Sequence, residues 1–423
     1  MNKSSCVIVG AGQAGAQVAM SLRQLDYAGR ILLIGDESFP PYERPPTSKE
    51  ILLGSKGPEE CLVRAPEFFA DNRIELVRSI TAIDIDRERH LLRLSDNSSV
   101  EYETLVIATG CRPRQLNPPP DQASAVVYLR TLDDALRLKD RLRPGRRLAI
   151  VGAGYIGLEV AAAATSLGCA VTVIDSASTA MTRVLPTLIS RRILDVHEEA
   201  GVQFLFGRQL TGIERDGEGI ASDGEAIALH FADGPAVHAD VVLVAVGVAP
   251  NDRIAADAGL EVADGIVVDE FSRSSDPSIY AVGDVSRRFH PLYRRHLRLE
   301  SWQNAQNQSI SAAKHICGVS ETYAELPWFW SNQFHMNIQI VGLPKHDHRV
   351  AFREYADGNF VAFCLDQDRL AAAVAVNRPR DIGESRRLIM NAGRLDAEKL
   401  RDATVPLRSA TVRTETPIQH ESH

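Results

Sequence analysis

Two copies of the glycine-rich fingerprint that binds dinucleotides constrain this chain more than any other feature. Each copy joins an apolar predicted strand to glycines spaced GxGxxG: Gly10, Gly12 and Gly15 after residues 7–9, and Gly152, Gly154 and Gly157 after residues 148–151. The first glycine permits a tight turn, the second lets backbone N–H groups approach a pyrophosphate, and the third lets the next helix pack closely. The duplication predicts two Rossmann-like α/β domains and two nucleotide cofactors.

Each copy also has an acidic residue where its second predicted strand ends. Asp36 follows residues 31–35, and Asp175 follows residues 171–174. Both lie at roughly the expected spacing of 20 residues, where a carboxylate binds ribose hydroxyls. A single GxGxxG is weak evidence, because ordinary βα turns also contain glycines, and such turns are the alternative here. A strand and an acid in both copies favour nucleotide binding.

Composition and charge exclude several classes of protein. Hydrophobic residues make up 44% of the chain and charged residues 24%, which is typical of globular domains. The net charge of -8 argues against nucleic acid as a partner. No apolar run reaches the roughly 18 residues of a membrane-spanning helix. The first apolar run is the fingerprint strand rather than a signal segment, so we expect a cytoplasmic protein that does not bind membranes.

The cysteines are scattered and form no recognisable pair. They are Cys6, Cys61, Cys111, Cys169, Cys317 and Cys364, with no CxxC or CxxxxC spacing among them. This pattern predicts unpaired thiols in a reducing compartment and argues against a metal or iron–sulfur centre. Two histidine groupings, at residues 346–348 and 420–423, could bind a metal, but we interpret them as a solvated loop and tail.

Apolar runs and proline clusters predict the domain organisation. The strand at residues 104–108 leads to Thr109 and Gly110, and a similar run at residues 239–246 leads to Gly247, as expected where a chain crosses beneath a nucleotide. Prolines at 113 and 118–120 indicate a linker. From residue 326 the pattern changes to strands at 334–341, 350–355 and 360–365, then a helix at 382–391, which predicts a smaller α+β domain. Residues 409–423 lack apolar periodicity and are predicted to be a mobile tail.

One basic segment runs against the acidic charge of the chain. Between Ser286 and Leu299 there is no acid, and the basic residues are Arg287, Arg288, His290, Arg294, Arg295, His296 and Arg298. Such a run is either a solvated face or a docking patch for an acidic protein. Both interpretations remain open at this point.

Taken together, the segments resemble the FAD- and NADH-dependent ferredoxin reductases of the glutathione-reductase fold, of the putidaredoxin reductase and ring-hydroxylating dioxygenase type. Five segments in order carry the resemblance: the Gly10 fingerprint, residues 44–49 (RPPTSK), the Gly152 fingerprint with Glu159, residues 280–284 (YAVGD), and residues 326–331 (LPWFWS). The resemblance implies an FAD-binding domain from residues 1–113 and 242–325, an NAD-binding domain from 114–241, and a C-terminal α+β domain from 326–408.

The resemblance also implies which residues bind the two cofactors. FAD is expected against Gly10, Gly12, Gly15, Asp36, Arg44, Lys49, Thr109, Gly110 and Asp284, with Trp302 nearby. NADH is expected against Gly152, Gly154, Gly157, Glu159, Asp175 and Gly247. The nicotinamide of NADH would then stack on the flavin ring.

Four residues match family positions beside the reacting rings, and we expect them to be catalytic: Lys49, Glu159, Glu300 and Trp302. A buried Lys49 needs a partner, and Glu159 would provide it; alternatively Glu159 is only a first-turn acid favoured by its helix dipole. Glu300 and Trp302 match a segment that opens a helix towards the flavin. Trp328 and Trp330 are expected where the third domain covers the flavin, or else are ordinary packing aromatics.

The activity follows from the absence of sulfur beside the expected flavin. Disulfide reductases of this fold need a cysteine pair there, but residues 45–50 read PPTSKE. Electrons would therefore leave the flavin directly, passing from NADH through FAD, one at a time, to a small acidic 2Fe-2S ferredoxin that serves a haem-thiolate monooxygenase or a dioxygenase. Arg294, Arg295, Arg298, Trp328 and Trp330 are the predicted docking residues. A reductase of monodehydroascorbate or quinone, and a slow interaction protein resembling apoptosis-inducing factor, remain alternatives.

Overall fold

The computed structural model describes residues 5–116, 126–216 and 226–412. Most of the predicted proline linker and the histidines at 420 and 423 lie outside these residues. Within the described part of the chain, residues up to Ser176 together with Glu198–Glu325 form one compact unit. Ala177–His197 and the residues from Leu326 onward form a second unit.

Residues 5–113 form the first group of elements. In chain order these are β1 (Ser5–Val9), α1 (Gln13–Gln24), β2 (Arg30–Ile34), α2 (Glu50–Leu53), α3 (Pro66–Asp71), β3 (Ile74–Val77), β4 (Ala82–Asp86), β5 (Leu91–Leu94), β6 (Ser99–Glu101), β7 (Thr104–Ile107) and β8 (Cys111–Pro113). The prolines of the 44–49 segment start a short 3-10 helix, Pro45–Ser48, because their fixed φ suits a first helical turn.

Residues 126–316 form the second group. They are β9 (Val126–Tyr128), α4 (Leu132–Lys139), β10 (Arg147–Val151), α5 (Tyr155–Ser166), β11 (Ala170–Asp175), α6 (Thr187–Glu199), β12 (Gln203–Phe206), β13 (Leu210–Asp216), β14 (Ala226–Phe231), β15 (Val237–Ala239), β16 (Val241–Val244), β17 (Val248–Pro250), α7 (Arg253–Asp257), β18 (Ile266–Val268), β19 (Ile279–Ala281), β20 (Ser286–His290), β21 (Arg295–Leu297) and α8 (Trp302–Ile316).

Two parallel sheets organise the first unit, as predicted from the duplicated fingerprint. The first has the strand order β19-β7-β1-β2-β3 and the second β12-β11-β10-β16-β9. In β1, Cys6 and Ile8 join one buried cluster while Val7 and Val9 join the other. Because successive strand residues point to opposite faces, the sheet is covered on both sides, which explains its continuous apolar sequence.

Each of the two sheets includes a strand from a distant part of the chain. β19 joins the first sheet beside β7, so this sheet combines residues from both ends of the first unit. β16 pairs with β10 in the second sheet, and the predicted boundary after residue 241 therefore falls inside a strand. The antiparallel pair of β8 and β17 then returns the chain towards the first sheet.

The C-terminal residues form an antiparallel sheet with helices. The elements are β22 (Trp328–Gln333), β23 (Met336–Gly342), β24 (Arg349–Glu354), β25 (Phe360–Asp366), β26 (Arg369–Val376), α9 (Pro379–Asn391) and α10 (Ala397–Arg401). The sheet order is β22-β23-β26-β25-β24, and α9 packs against β23 and β26. The α+β character is as predicted.

Three details of this region differ from the sequence predictions. Phe334 has a φ of 51° in the turn between β22 and β23, so the strand predicted to start at 334 starts at Met336. The buried strand β26 is absent from the prediction, because an apolar run without alternation does not distinguish strand from helix. A mobile tail from residue 409 is wrong for residues 409–412: Ala410 is buried, and its carbonyl accepts from the Asp396 N–H at 2.8 Å.

Candidate functional site

The two fingerprint loops have almost the same backbone geometry. The Gly10 N–H donates to the Ile34 carbonyl at 2.8 Å, and the Gly152 N–H donates to the Ile174 carbonyl at 2.8 Å. A Cβ at Gly10, where φ is +105°, would lie 2.2 Å from the Ala108 oxygen. At Gly152, where φ is +110°, it would lie 2.4 Å from the Ala245 oxygen. The first glycine of each loop is therefore required by the fold itself.

The third glycines are also fixed by packing, whereas the second glycines are not. A Cβ at Gly15 would lie 1.9 Å from the Gly10 oxygen, and one at Gly157 would lie 2.1 Å from the Gly152 oxygen. At Gly12 the nearest neighbour would be 3.9 Å away, at Arg44 Nη2, and at Gly154 nothing lies within 4 Å. The protein leaves open space at the two positions where the motif brings backbone to a pyrophosphate.

The helices that follow the two loops begin without a side-chain cap. Gly12 precedes α1 and Gly154 precedes α5, and neither glycine provides a side-chain cap hydrogen bond to its helix. In contrast, Ser301 caps α8 by accepting from the Asn304 N–H. Uncapped N–H groups at the positive end of a helix suit a phosphate, so the residues present fit two dinucleotides.

The acids that follow the second strands occupy different places in the two copies. Asp175 ends β11, and its Oδ2 accepts from the Ala153 N–H at 2.8 Å. The equivalent place in the first copy holds Gly35, where a Cβ would lie 2.6 Å from the Ala11 Cβ. Asp36 is therefore displaced by one residue and its side chain is exposed. The sequence spacing alone did not reveal this shift.

Lys49 and Glu159 form a buried ion pair between the two nucleotide-binding halves. Lys49 Nζ lies 3.1 Å from Glu159 Oε1, with side chains 9% and 3% exposed. The Ser48 hydroxyl donates to the other oxygen of Glu159. Glu159 is the fifth residue of α5 and is not in its first turn, so attraction to the helix dipole does not explain it. The structure brings Lys49 and Glu159 together as the resemblance implied.

Arg44 lies beside the first glycine loop and is held by side chains that the sequence analysis did not single out. Its guanidinium pairs with Glu37 at 2.5 Å and donates to the Tyr42 hydroxyl at 2.9 Å. It also donates to the Arg130 carbonyl at 2.7 Å. Glu37 and Tyr42 are thus supporting residues of the site.

Arg130 is a further charged residue of the site that the sequence analysis missed. Its guanidinium lies 3.5 Å from Asp284 Oδ2 and 3.0 Å from the place that a Cβ on Gly110 would occupy. Burial lowers the pKa of Arg130 from its usual value, with Arg44 adding to the effect and Asp284 opposing it. Arg130 lies just before α4, and no motif marks it in the sequence.

The predicted strand ends at Gly110 and Gly247 adopt the left-handed backbone that suits glycine. Their φ values are +63° and +103°. The Thr109 hydroxyl donates to the Asn251 carbonyl at 2.9 Å, and the Asn251 side chain donates back to the Thr109 carbonyl at 2.9 Å. These bonds fix the chain crossing beside Asp284.

The segment of Glu300 and Trp302 opens a helix, as predicted, since α8 begins at Trp302. Glu300 pairs with Arg298 at 2.6 Å. Arg298 also pairs with Asp264 at 3.4 Å and donates to the Cys111 sulfur at 3.3 Å. Its side chain is only 9% exposed, so Arg298 presents little surface to a partner, and its role in docking stays a prediction. Desolvation raises the pKa of Glu300, although Arg298 opposes this.

The remaining predicted docking residues lie at or near the surface. Arg294 and Arg295 are exposed, but Arg288 of the same segment is 2% exposed, so the basic run is not one continuous patch. Trp328 and Trp330 stack with ring centroids 5.1 Å apart and are half-buried on β22. The sequence gives the charge of each residue but not the direction of its side chain, so it did not distinguish the exposed arginines from the buried one.

The thiols are poorly placed for redox chemistry. Every cysteine is buried except Cys317, which is half-buried, and all are unpaired. Burial raises the pKa of the Cys111 thiol to about 12, which keeps it protonated and a weak nucleophile at neutral pH. In the described part of the chain no group of three or more metal-binding side chains is found, and no helix is long and apolar enough to cross a membrane.

Comparison with known proteins extends over nearly the whole chain. The family described as pyridine nucleotide-disulphide oxidoreductase matches residues 4–309. The chain belongs to this family. A second family, described as reductase C-terminal, matches residues 328–411.

Two relatives and one solved structure show where the chain stands within the family. The ferredoxin–NAD(+) reductase component of the anthranilate 1,2-dioxygenase system of Burkholderia cepacia is 42% identical, over 97% of this chain and 100% of that protein. Putidaredoxin reductase of Pseudomonas putida is 37% identical over 95% of each. The covalent putidaredoxin reductase–putidaredoxin complex superposes with a TM-score of 0.91 and 37% identity, over 96% of this chain and 98% of that one.

These matches confirm the family and fold class predicted from the sequence. The protein is an FAD-dependent oxidoreductase that uses NADH and is similar throughout to ferredoxin reductases. The open second glycines and uncapped helices fit these two cofactors. The roles of individual site residues are a separate matter and remain predictions.

Proposed function

We propose that this protein takes two electrons from NADH and delivers them singly, through FAD, to two molecules of a small acidic 2Fe-2S ferredoxin. The products are NAD⁺, two reduced ferredoxins and one proton. The ferredoxin would serve a haem-thiolate monooxygenase or a dioxygenase. One similar reductase is named as a component of a dioxygenase system, and a similar solved structure is named as the ferredoxin reductase for the CYP199A2 system.

One observation carries the proposal. The segment where a disulfide reductase of this fold needs cysteines has Thr47, Ser48 and Lys49, all buried. Ser48 and Lys49 both contact Glu159 of the second nucleotide-binding half. An ion pair and a hydroxyl cannot store electrons as a dithiol. Electrons must therefore pass directly from the cofactor to an outside acceptor.

The first fingerprint and the charged residues around it would hold FAD. Gly12 and the start of α1 would take the pyrophosphate, with Arg44 supplying positive charge nearby. Asp284, oriented by Arg130, would accept hydrogen bonds from the ribityl hydroxyls, and Asp36 would reach the adenosine ribose. FAD, when bound, supplies the conversion of a hydride into two single electrons.

The second fingerprint would hold NADH, with Gly154 and the start of α5 at its pyrophosphate. Asp175 would accept from the adenosine ribose hydroxyls. Lys49 and Glu159 would fix the position of the two halves beside the reacting rings, and Glu300 and Trp302 would border the nicotinamide. None of these side chains needs to change its protonation state for hydride transfer.

The place of action and the division into domains are part of the proposal. We propose that the protein works in the cytoplasm. We also propose that the FAD-binding domain comprises residues 1–113 together with the residues from the end of β16 to Glu325. The stacked Trp328 and Trp330 support a role of the C-terminal domain near an aromatic ligand or partner.

A comparison of electron acceptors tests the function. The purified yellow holoenzyme is supplied with NADH and with a 2Fe-2S ferredoxin, a quinone or the monodehydroascorbate radical, and steady-state rates are measured for each. The proposal expects the highest kcat/KM with ferredoxin. Faster turnover with quinone or monodehydroascorbate would contradict it, and slow turnover with all three would favour a redox-dependent interaction protein.

A further inference from the structure

We propose that the β20–β21 hairpin, residues 286–297, is the docking surface for the acidic 2Fe-2S ferredoxin. The inference rests on the proposed function, because it names the surface at which the acceptor arrives. Only part of the basic segment is available to a partner. We call this part the hairpin face; it consists of Phe289, Leu292, Arg294, Arg295 and His296.

The two ends of the hairpin are attached to the expected flavin site. β20 begins two residues after Asp284, whose side chain pairs with Arg130. β21 is followed by Arg298, which contacts both the Glu300 carboxylate at 2.6 Å and the Asp284 carbonyl at 3.4 Å. A partner bound to the hairpin would therefore be close along the chain to Asp284 and Glu300, two residues expected to lie beside the cofactors.

The inner side of the hairpin is anchored to the rest of the first unit. Arg288 donates to the Tyr323 carbonyl, and its guanidinium lies over the Tyr323 ring at 4.1 Å. His290 is fully buried and donates through Nε2 to the Glu325 carbonyl at 3.0 Å. A surface that is already ordered loses little conformational entropy when a partner binds.

The outer side combines exposed apolar and basic groups. Phe289 is 43% exposed and Leu292 is 42% exposed, and the Phe289 ring packs edge-on against His296 with centroids 5.6 Å apart. Arg294 and Arg295 are exposed at the turn and the start of β21. Aromatic residues and arginine are the side chains enriched in protein–protein interfaces.

Charge selects an acidic partner for this face. The chain carries a net charge of -8, so an acidic ferredoxin is repelled on average, but residues 286–299 contain no acid. Two carboxylates that contact this segment, Asp264 and Glu300, are paired with the largely buried Arg298. The basic hairpin attracts an approaching acidic protein, whereas the net negative charge of the chain repels it. Together these forces orient the partner towards the hairpin.

The test is a charge reversal at the hairpin, with a single charge reversal on another hairpin as the control. The double variant Arg294→Glu/Arg295→Glu is compared with Arg89→Glu, which changes an exposed arginine in the turn of another hairpin, between β4 and β5. We expect kcat/KM for ferredoxin to fall on the order of tenfold at low ionic strength in the double variant, because steering charges act mainly on association. The Arg89 variant should resemble the wild type, and the rate of ferricyanide reduction by NADH should be unchanged in all three proteins.

Three further measurements keep the inference open to refutation. The neutral variant Arg294→Gln/Arg295→Gln should show a smaller loss than the charge reversal, and Phe289→Ala should weaken ferredoxin binding at all salt concentrations. The wild-type ferredoxin rate should fall as salt shortens the Debye length from about 10 Å at 0.1 M.

The possible outcomes distinguish failure of the hairpin proposal from failure of the proposed function. If the wild type reduced ferricyanide but no ferredoxin, the proposed function would fail. If the wild type reduced ferredoxin and the double variant matched Arg89→Glu in rate and salt dependence, the hairpin proposal alone would be refuted, and docking would have to be sought around Trp328 and Trp330.

Discussion

The two glycine loops share one backbone design but differ in what surrounds them. Both use their first and third glycines for packing and leave the second open. Around the first loop, Glu37, Tyr42, Arg44 and Arg130 form a connected polar network. Around Gly154, by contrast, no atom would lie within 4 Å of an added Cβ. The difference is in the side chains and not in the fold.

This difference indicates different residence times for the two nucleotides. Several charged groups fixed before binding hold a ligand tightly, because little ordering is required when it binds. An open loop beside an oriented acid, Asp175, allows a ligand to leave after each turnover. FAD is thus expected to remain with the protein, while NADH exchanges.

The largest expected effect comes from the ion pair that links the two halves. Lys49→Met removes the cation and leaves the Glu159 carboxylate buried, which should lower the free energy of unfolding by about 3–5 kcal/mol. Urea denaturation of the holoenzyme measures this. Glu75→Gln, which breaks the exposed pair of Glu75 and Arg30, serves as control and should cost far less.

A combined variant sharpens the same point. In Lys49→Met/Glu159→Gln neither charge remains, so most of the lost stability should return. Reduction of the flavin by NADH should nevertheless be slower than in the wild type, because the ion pair that fixes the two halves is gone. If Lys49→Met alone were as stable as the wild type, the pair would not hold the halves together.

Alanine at the two open glycines should separate the two nucleotides. Gly12 and Gly154 have φ values of -88° and -85°, which alanine adopts without strain. A methyl group facing the pyrophosphate should cost about 2–3 kcal/mol, or on the order of 100-fold in affinity. Gly12→Ala should therefore be purified with little FAD, and Gly154→Ala should keep its yellow colour but show a raised KM for NADH.

Absorbance spectra and NADH titrations of the two variants check this. Loss of FAD in Gly154→Ala, or full FAD content with a raised KM for NADH in Gly12→Ala, would reverse the assignment of the two loops.

A smaller effect is expected at Asp175, which should favour NADH over NADPH. Its carboxylate would repel a 2'-phosphate, and the loss of hydrogen bonds plus this repulsion should give about 100-fold discrimination. Asp175→Ser should narrow the ratio of kcat/KM values for the two nucleotides. Equal efficiency of the wild type with both would show that Asp175 faces elsewhere.

The smallest effect is expected from the thiols. Burial raises the pKa of Cys6, Cys111 and Cys364 to about 12, so these groups stay protonated and unreactive at neutral pH. Alkylation with iodoacetamide should leave NADH oxidation by ferredoxin nearly unchanged. Inactivation that follows modification of one cysteine, with FAD retained and the fold intact, would instead indicate a thiol mechanism.

Sequence predicted the parts of the site that depend on backbone geometry. The fingerprint glycines and the strand ends at Gly110 and Gly247 follow from local rules, whereas the helix that begins at Trp302 was implied by the family resemblance. The proximity of Lys49 and Glu159 came from the family resemblance, because local rules cannot relate residues so far apart in the chain.

The parts that sequence missed depend on the direction of side chains. Arg288 and Arg298 look the same as Arg294 and Arg295 in a charge pattern, yet two are buried and two are exposed. Arg130 is brought to Asp284 only by the meeting of distant segments. No motif records such tertiary contacts.

The stoichiometry of electron transfer tests the central claim most directly. The holoenzyme is reduced anaerobically with one equivalent of NADH and then mixed with excess oxidised 2Fe-2S ferredoxin, while the flavin and iron–sulfur absorbances are followed separately. We expect the flavin absorbance to return fully as two ferredoxins are reduced for each NADH, before and after alkylation of the thiols. A flavin that stays reduced in the presence of ferredoxin would contradict the claim.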